Sequence, residues 1–87
     1  MSRFYTAEIF VRLSVQREDG ETVSVDYPMD PDANWETVFL DAHATADGPK
    51  SPYELRREHG DVGARRWSDA VRLRACEDEL FKKAGLA

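Results

Sequence analysis

The stretch YTAEIFVRLSVQREDGETVSVDYPM, residues 5–29, decides the fold. From Tyr5 to Val15 every odd position is apolar or aromatic, a period of two that marks a half-buried strand. Val23, Val25, Tyr27 and Met29 repeat the pattern, and Arg17-Glu18-Asp19-Gly20-Glu21 between the two runs is a turn signal. The register follows from face matching. A two-residue Asp19-Gly20 loop would set Val15 opposite Ser24 and mix apolar with polar side chains on one face. A three-residue loop, Glu18-Asp19-Gly20 with Gly20 left-handed, pairs Val15 with Val23, Leu13 with Val25 and Val11 with Tyr27. Its other face then pairs Ser14 with Ser24 and Arg12 with Asp26, opposite charges across the ladder. The longer loop satisfies both faces and is the one expected.

Downstream of the hairpin the periodicity turns helical. Asp30 reads as an N-cap with Pro31 at the first helical position, and Trp35, Val38, Phe39 and Ala42 follow at i, i+3, i+4 and i+7. The alternation of Asp30, Asp32 and Asn34, with Asp41 at the twelfth position, also matches the spacing of a calcium loop. Such a loop needs glycine at its sixth position and a helix entering it, whereas Trp35 stands there and a strand enters. A helix start satisfies more residues, so no metal is expected. Ala46-Asp47-Gly48-Pro49-Lys50 breaks the chain, and Ser51-Pro52-Tyr53-Glu54 is a capping box opening a short helix that ends near His59-Gly60. A last helix begins around Asp61 to Ala64 and runs to Lys83, with Gly85 past its end. It carries two apolar stripes, Ala64, Trp67, Ala70 and Val71, then Leu73, Cys76, Leu80 and Ala84, with Phe81 between. Two stripes imply a bend near Arg74-Ala75, a second copy against one of them, or a helix wedged into its own core. The expected architecture is ββααα, a single α+β domain over residues 1–87: an N-terminal antiparallel hairpin with its odd face packed against three helices.

Composition excludes several classes of function. With 87 residues, 41% hydrophobic and 33% charged, the chain is that of one small globular domain. No apolar run approaches the roughly 20 residues that span a bilayer, no leader pattern opens the chain, and the cytoplasm is the default expectation. The single cysteine, Cys76, excludes an internal disulfide and a multi-cysteine metal cage. The net charge of −5 resides in residues 1–50, which hold ten acids against Arg3, Arg12, Arg17 and Lys50. An acidic lobe disfavours nucleic acid and anionic membranes and suits a basic partner.

Catalytic chemistry is not expected. Cys76 lies in an apolar stripe, and His43 and His59 each sit near a helix C-terminus, where the dipole accounts for them. Carboxylates are plentiful but scattered, with no acid–base pair standing out. Gly60-Asp61-Val62-Gly63 resembles in spacing the GxxG loop of KH-type RNA-binding domains, yet Asp61 would repel the phosphates such a loop receives. Arg56, Arg57, Arg65, Arg66, Arg72 and Arg74 are interleaved with Glu54, Glu58 and Asp69, as on an ion-paired helix surface. Nucleic acid is therefore disfavoured as a ligand, and no cofactor is expected.

Interaction remains. An isolated two-stranded ribbon leaves both edges free, and its polar face also carries Phe4 and Phe10. The expected contact residues are thus Glu18, Asp19 and Glu21 at the hairpin tip, Asp26, Asp30 and Asp32 along the second strand and helix start, and the apolar Phe4 and Phe10. In profile (short, acidic, without a catalytic motif) the chain is similar to phage-encoded inhibitors such as anti-CRISPR proteins and DNA mimics. That resemblance implies a protein that occupies a basic, nucleic-acid-handling surface of its partner. A homodimeric accessory subunit is the alternative, and after it a nucleic-acid-binding module that uses the arginine-bearing helices.

Overall fold

The computed structural model describes residues 3–86. Strands β1 (Ile9–Gln16) and β2 (Thr22–Met29) form a two-stranded antiparallel sheet in the register that face matching requires. Val15 faces Val23, Leu13 faces Val25, Val11 faces Tyr27, Ser14 faces Ser24 and Arg12 faces Asp26. The Gly20 N–H donates to the Arg17 carbonyl at 3.0 Å, the Arg17 N–H donates to that of Glu21 at 2.7 Å, and Gly20 has φ of 90°. This is a type I turn closed by a left-handed residue, a conformation that glycine adopts without strain. The expected strand from Tyr5 is shortened to a start at Ile9, because Ile9 opposite Met29 is the last pair that β2 can supply.

The helical part forms two runs rather than three separate helices. The first is α1 (Trp35–Ala42). The second comprises α2 (Pro52–His59), a 3-10 turn over Gly60–Val62 and α3 (Gly63–Lys83), which follow one another without an intervening loop. Asp30 does not cap α1. Its Oδ1 accepts from the Asp32 N–H at 3.2 Å and its carbonyl from the Ala33 N–H, making a tight turn across Pro31. The cap is Asn34, whose Oδ1 accepts from the Thr37 N–H at 3.1 Å, so the helix opens four residues later than expected. The α2 start is as read: Ser51 Oγ accepts from the Glu54 N–H at 3.1 Å, with Pro52 in the first turn. At the far end of α3, the Leu86 N–H reaches the Phe81 carbonyl and the Gly85 N–H that of Lys82, with Gly85 at φ 74°, a Schellman closure.

The core lies where the odd face of the hairpin meets α1 and α3. Tyr27, Val38, Ala42, Ala70 and Leu73 are buried together, with Val11, Leu13, Met29, Trp35 and Cys76 packed around them. Helix α3 is continuous and touches α1, α2 and both strands. Its two apparent stripes resolve into one. Beyond Gly63 the buried and half-buried positions are Arg66, Trp67, Asp69, Ala70, Leu73, Arg74, Cys76, Glu77, Leu80 and Ala84, one broad face with Trp67 and Arg74 at its margin, while Val71 and Ala64 face outward. Gly63 allows the crossing of α2 and α3: a Cβ there would fall onto the Leu55 carbonyl and the Arg56 amide nitrogen.

Candidate functional site

The six acidic positions separate into two groups. Glu18, Asp19 and Glu21 crown the hairpin turn and are exposed. Asp19 spends one oxygen on the Glu21 N–H at 3.0 Å and the other on Arg17 at 3.8 Å. Glu18 and Glu21 have no cationic partner among the described residues. The remaining three acids are engaged within the chain. Asp26 pairs with Arg12 across the ladder at 3.2 Å, and Arg65 of α3 reaches Asp30 at 3.1 Å and Asp32 at 3.7 Å. The expected acidic row is therefore a free tip followed by a neutralised stem.

The apolar positions lie elsewhere. Phe10 is 53% exposed on β1, and Phe4, at 91%, precedes that strand with Tyr5 at 90% beside it. Phe4, Tyr5, Ile9 and Phe10 together make an uncovered apolar arm, distant in sequence from the tip.

Two buried carboxylates escaped the sequence reading. Asp41 on α1, 8% exposed, accepts both the Nε–H and the Nη2–H of Arg66 at 2.8 and 2.9 Å, a bidentate pair tying α1 to α3. That bond raises the Arg66 guanidinium still further above its ordinary range. Asp69, 6% exposed, takes Arg72 at 3.1 Å, and its backbone carbonyl accepts the Tyr27 hydroxyl at 3.2 Å. Arg72 also lies 5.4 Å above the Tyr27 ring. A signal for both existed. Asp41 is i+3 from Val38 and Asp69 is four residues before Leu73, so each falls inside a buried stripe.

Asp41, Arg66 and Asp69 line a cleft of about 230 Å³ between α1 and α3, with Val38 and Val62 on its walls. Arg65 and Arg66 face it, but both already hold carboxylates, so an anionic ligand would have to displace them. Of the interleaved arginines, Arg65, Arg66 and Arg72 are thus committed to ion pairs within the chain.

The nucleophile and imidazoles are similarly engaged. Burial pushes the Cys76 thiol above its ordinary range, with Glu79 adding to the shift, so it stays protonated at neutral pH. His43 bonds the Phe39 carbonyl through Nδ1 at 2.8 Å and Glu77 through Nε2 at 2.9 Å, and its ring lies tilted by 44° against that of Phe39. His59 lies 3.6 Å from Glu58, whose carboxyl is lowered by its bond to Lys50. No helix among the described residues is long and apolar enough to cross a membrane, and none of their His, Cys, Asp and Glu side chains group as metal ligands. Comparison with protein-family models, with curated proteins and with solved structures found no match for this chain.

Proposed function

We propose that this chain is a small acidic protein-binding module whose hairpin tip seats on a basic surface of another protein. One observation supports it above the rest: Glu18 and Glu21 are exposed and unpaired, while the acids of the stem are held by arginines of the same chain. A carboxylate already satisfied within the fold gains little from a partner's lysine, whereas a free one steers the encounter. The surface engaged is of the kind that handles nucleic acid, and occupying it would inhibit the partner, in the cytoplasm. Asp26, Asp30 and Asp32 then serve as the rim of that contact.

A charge-matched capture experiment tests this function. The variant E18K/D19K/E21K changes the tip, and E36K/D47K/D78K makes the same change in net charge at exposed positions away from it. Each chain is used as bait in lysate of the source organism, and retained proteins are identified by mass spectrometry. A basic protein kept by the wild type and the control but lost by the tip variant supports the reading. If the two variants lose it equally, the acids act only through net charge, and the tip has no role. A homodimeric accessory role is the second reading, favoured by the uncovered arm around Phe4 and Phe10.

A further inference from the structure

We infer that two copies of this chain associate through the free edge of β1, antiparallel about a two-fold axis at Phe10, to form a continuous four-stranded sheet. The inference stands apart from the acidic tip and concerns the opposite end of the hairpin.

Strand β1 is bonded to β2 alone. The Arg17 N–H donates to Glu21, so the odd-numbered residues of β1 turn their amides and carbonyls toward β2. The same alternation leaves the backbone groups of Glu8, Phe10, Arg12, Ser14 and Gln16 on the open edge. Ahead of the strand, Arg3–Glu8 extend the chain with no strand beside them. The edge has no proline and no bulge, it carries Ile9 and Phe10 exposed, and its charges, Glu8 and Arg12, are of opposite sign.

What fits the edge is another β1, in one register. With the axis at Phe10, Glu8 faces Arg12 of the second copy and Arg12 faces Glu8 of the second copy. Thr6 then faces Ser14, and the two Phe10 rings meet. On the odd face Ile9 falls opposite Val11, Ala7 opposite Leu13 and Tyr5 opposite Val15. Arg12 already holds Asp26 on β2, so the even face would alternate acid, base, acid across three strands. Other axes do worse. Centring on Glu8 or on Arg12 sets like charges face to face, centring on Ile9 sets Arg12 against Thr6, and centring on Val11 sets Arg12 against Phe10. The only unfavourable pair in the chosen register is Arg3 against Arg17, at the frayed end, where Asp19 stands by Arg17.

The helices leave room for the added strand. A groove of about 320 Å³ opens beside β1, walled by Leu13, Trp35, Phe39, Leu80 and Phe81 together with the charged Arg12 and Glu77, with no residue of β2. Phe39 and Phe81 are 46% and 39% exposed along it. The odd-face Tyr5 and Ala7 of a second copy, opposite Val15 and Leu13, project into that groove. One contact therefore covers the arm and the groove together.

Sedimentation equilibrium on the full chain, from micromolar to millimolar concentration, tests the register. The wild type is expected to approach about 20 kDa, twice the 9.9 kDa chain. The E8R variant carries two repulsive pairs in its own dimer and should dissociate roughly tenfold more readily, or more. R12E/D26R keeps the cross-strand pair within each chain and should weaken to a similar degree. An equimolar mixture of the two restores opposite charges at both pairs and should recover wild-type association. Circular dichroism confirms that each variant is folded. A wild type that stays at 9.9 kDa overturns the dimer and leaves the edge to some other protein. Variants that associate like wild type, or a mixture that fails to recover, overturn the register and with it the proposal.

Discussion

At the residue scale, Asp69 is where the fold holds a charge against its preference. It is 6% exposed on α3, and burial lifts its carboxyl above the ordinary range, with Arg72 pulling the other way and Asp30 and Asp41 adding to the rise. A raised folded-state pKa means the native chain binds this proton more tightly than the unfolded chain. The ionised form then costs stability at neutral pH, and the cost is relieved as pH falls through the raised value. Asp69→Asn keeps the shape and removes the titration. The stability difference between D69N and wild type, from urea unfolding at about pH 7 and about pH 5, should move in favour of wild type on acidification. A difference that stays constant would mean that Asp69 ionises as freely in the fold as outside it. Residues of this kind are hard to read from sequence. A charged side chain is assigned to solvent by default, and only the partner, Arg66 for Asp41 or Arg72 for Asp69, makes its burial tolerable.

At the element scale, the hairpin was legible because two independent faces demanded the same register and glycine stood at the left-handed position. The start of α1 was not. Asp30-Pro31 and Asn34 are competing start signals four residues apart, and Arg65 of α3 draws Asp30 into an ion pair instead. No local pattern contains that arginine. The crossing of α2 and α3 was equally hidden, since Gly63 reads as half of a glycine turn and serves as the contact point of two backbones. An alanine there gains helix propensity, about 1 kcal/mol, but its Cβ lands on the Leu55 carbonyl, which is main chain and cannot rotate away. Overpacking of this kind costs roughly 1–3 kcal/mol, and more where backbone must move. Gly63→Ala should therefore lower stability by about 2 kcal/mol net in urea, a sizeable share of the roughly 4–13 kcal/mol expected for a domain of this length. A loss within about 0.5 kcal/mol, the level of an ordinary surface change, would show that the helices can part at no cost.

At the scale of the whole molecule, the shape is that of a plate. The Cα extents are 46 × 46 × 16 Å and the radius of gyration is 15.5 Å, against about 12 Å for a compact domain of this length. A plate buries little for its length, which agrees with Tyr27 and Leu73 being the largest fully buried side chains among the described residues. Stability in such a chain depends on what else covers it. If the β1 edge is shared between copies, unfolding separates them, and the melting temperature rises with protein concentration by mass action. At roughly 0.7 kcal/mol per residue, a dimer of two such chains absorbs about 120 kcal/mol on unfolding, so each tenfold rise in concentration shifts the midpoint by about 4 °C. Calorimetry of wild type over two decades of concentration should show that slope, and E8R should show it only at the highest concentrations. The distinction is sharp because the monomer's own contacts do not depend on concentration. A wild-type midpoint that stays fixed would mean that the plate is stable alone, with its edge and groove open to a different protein.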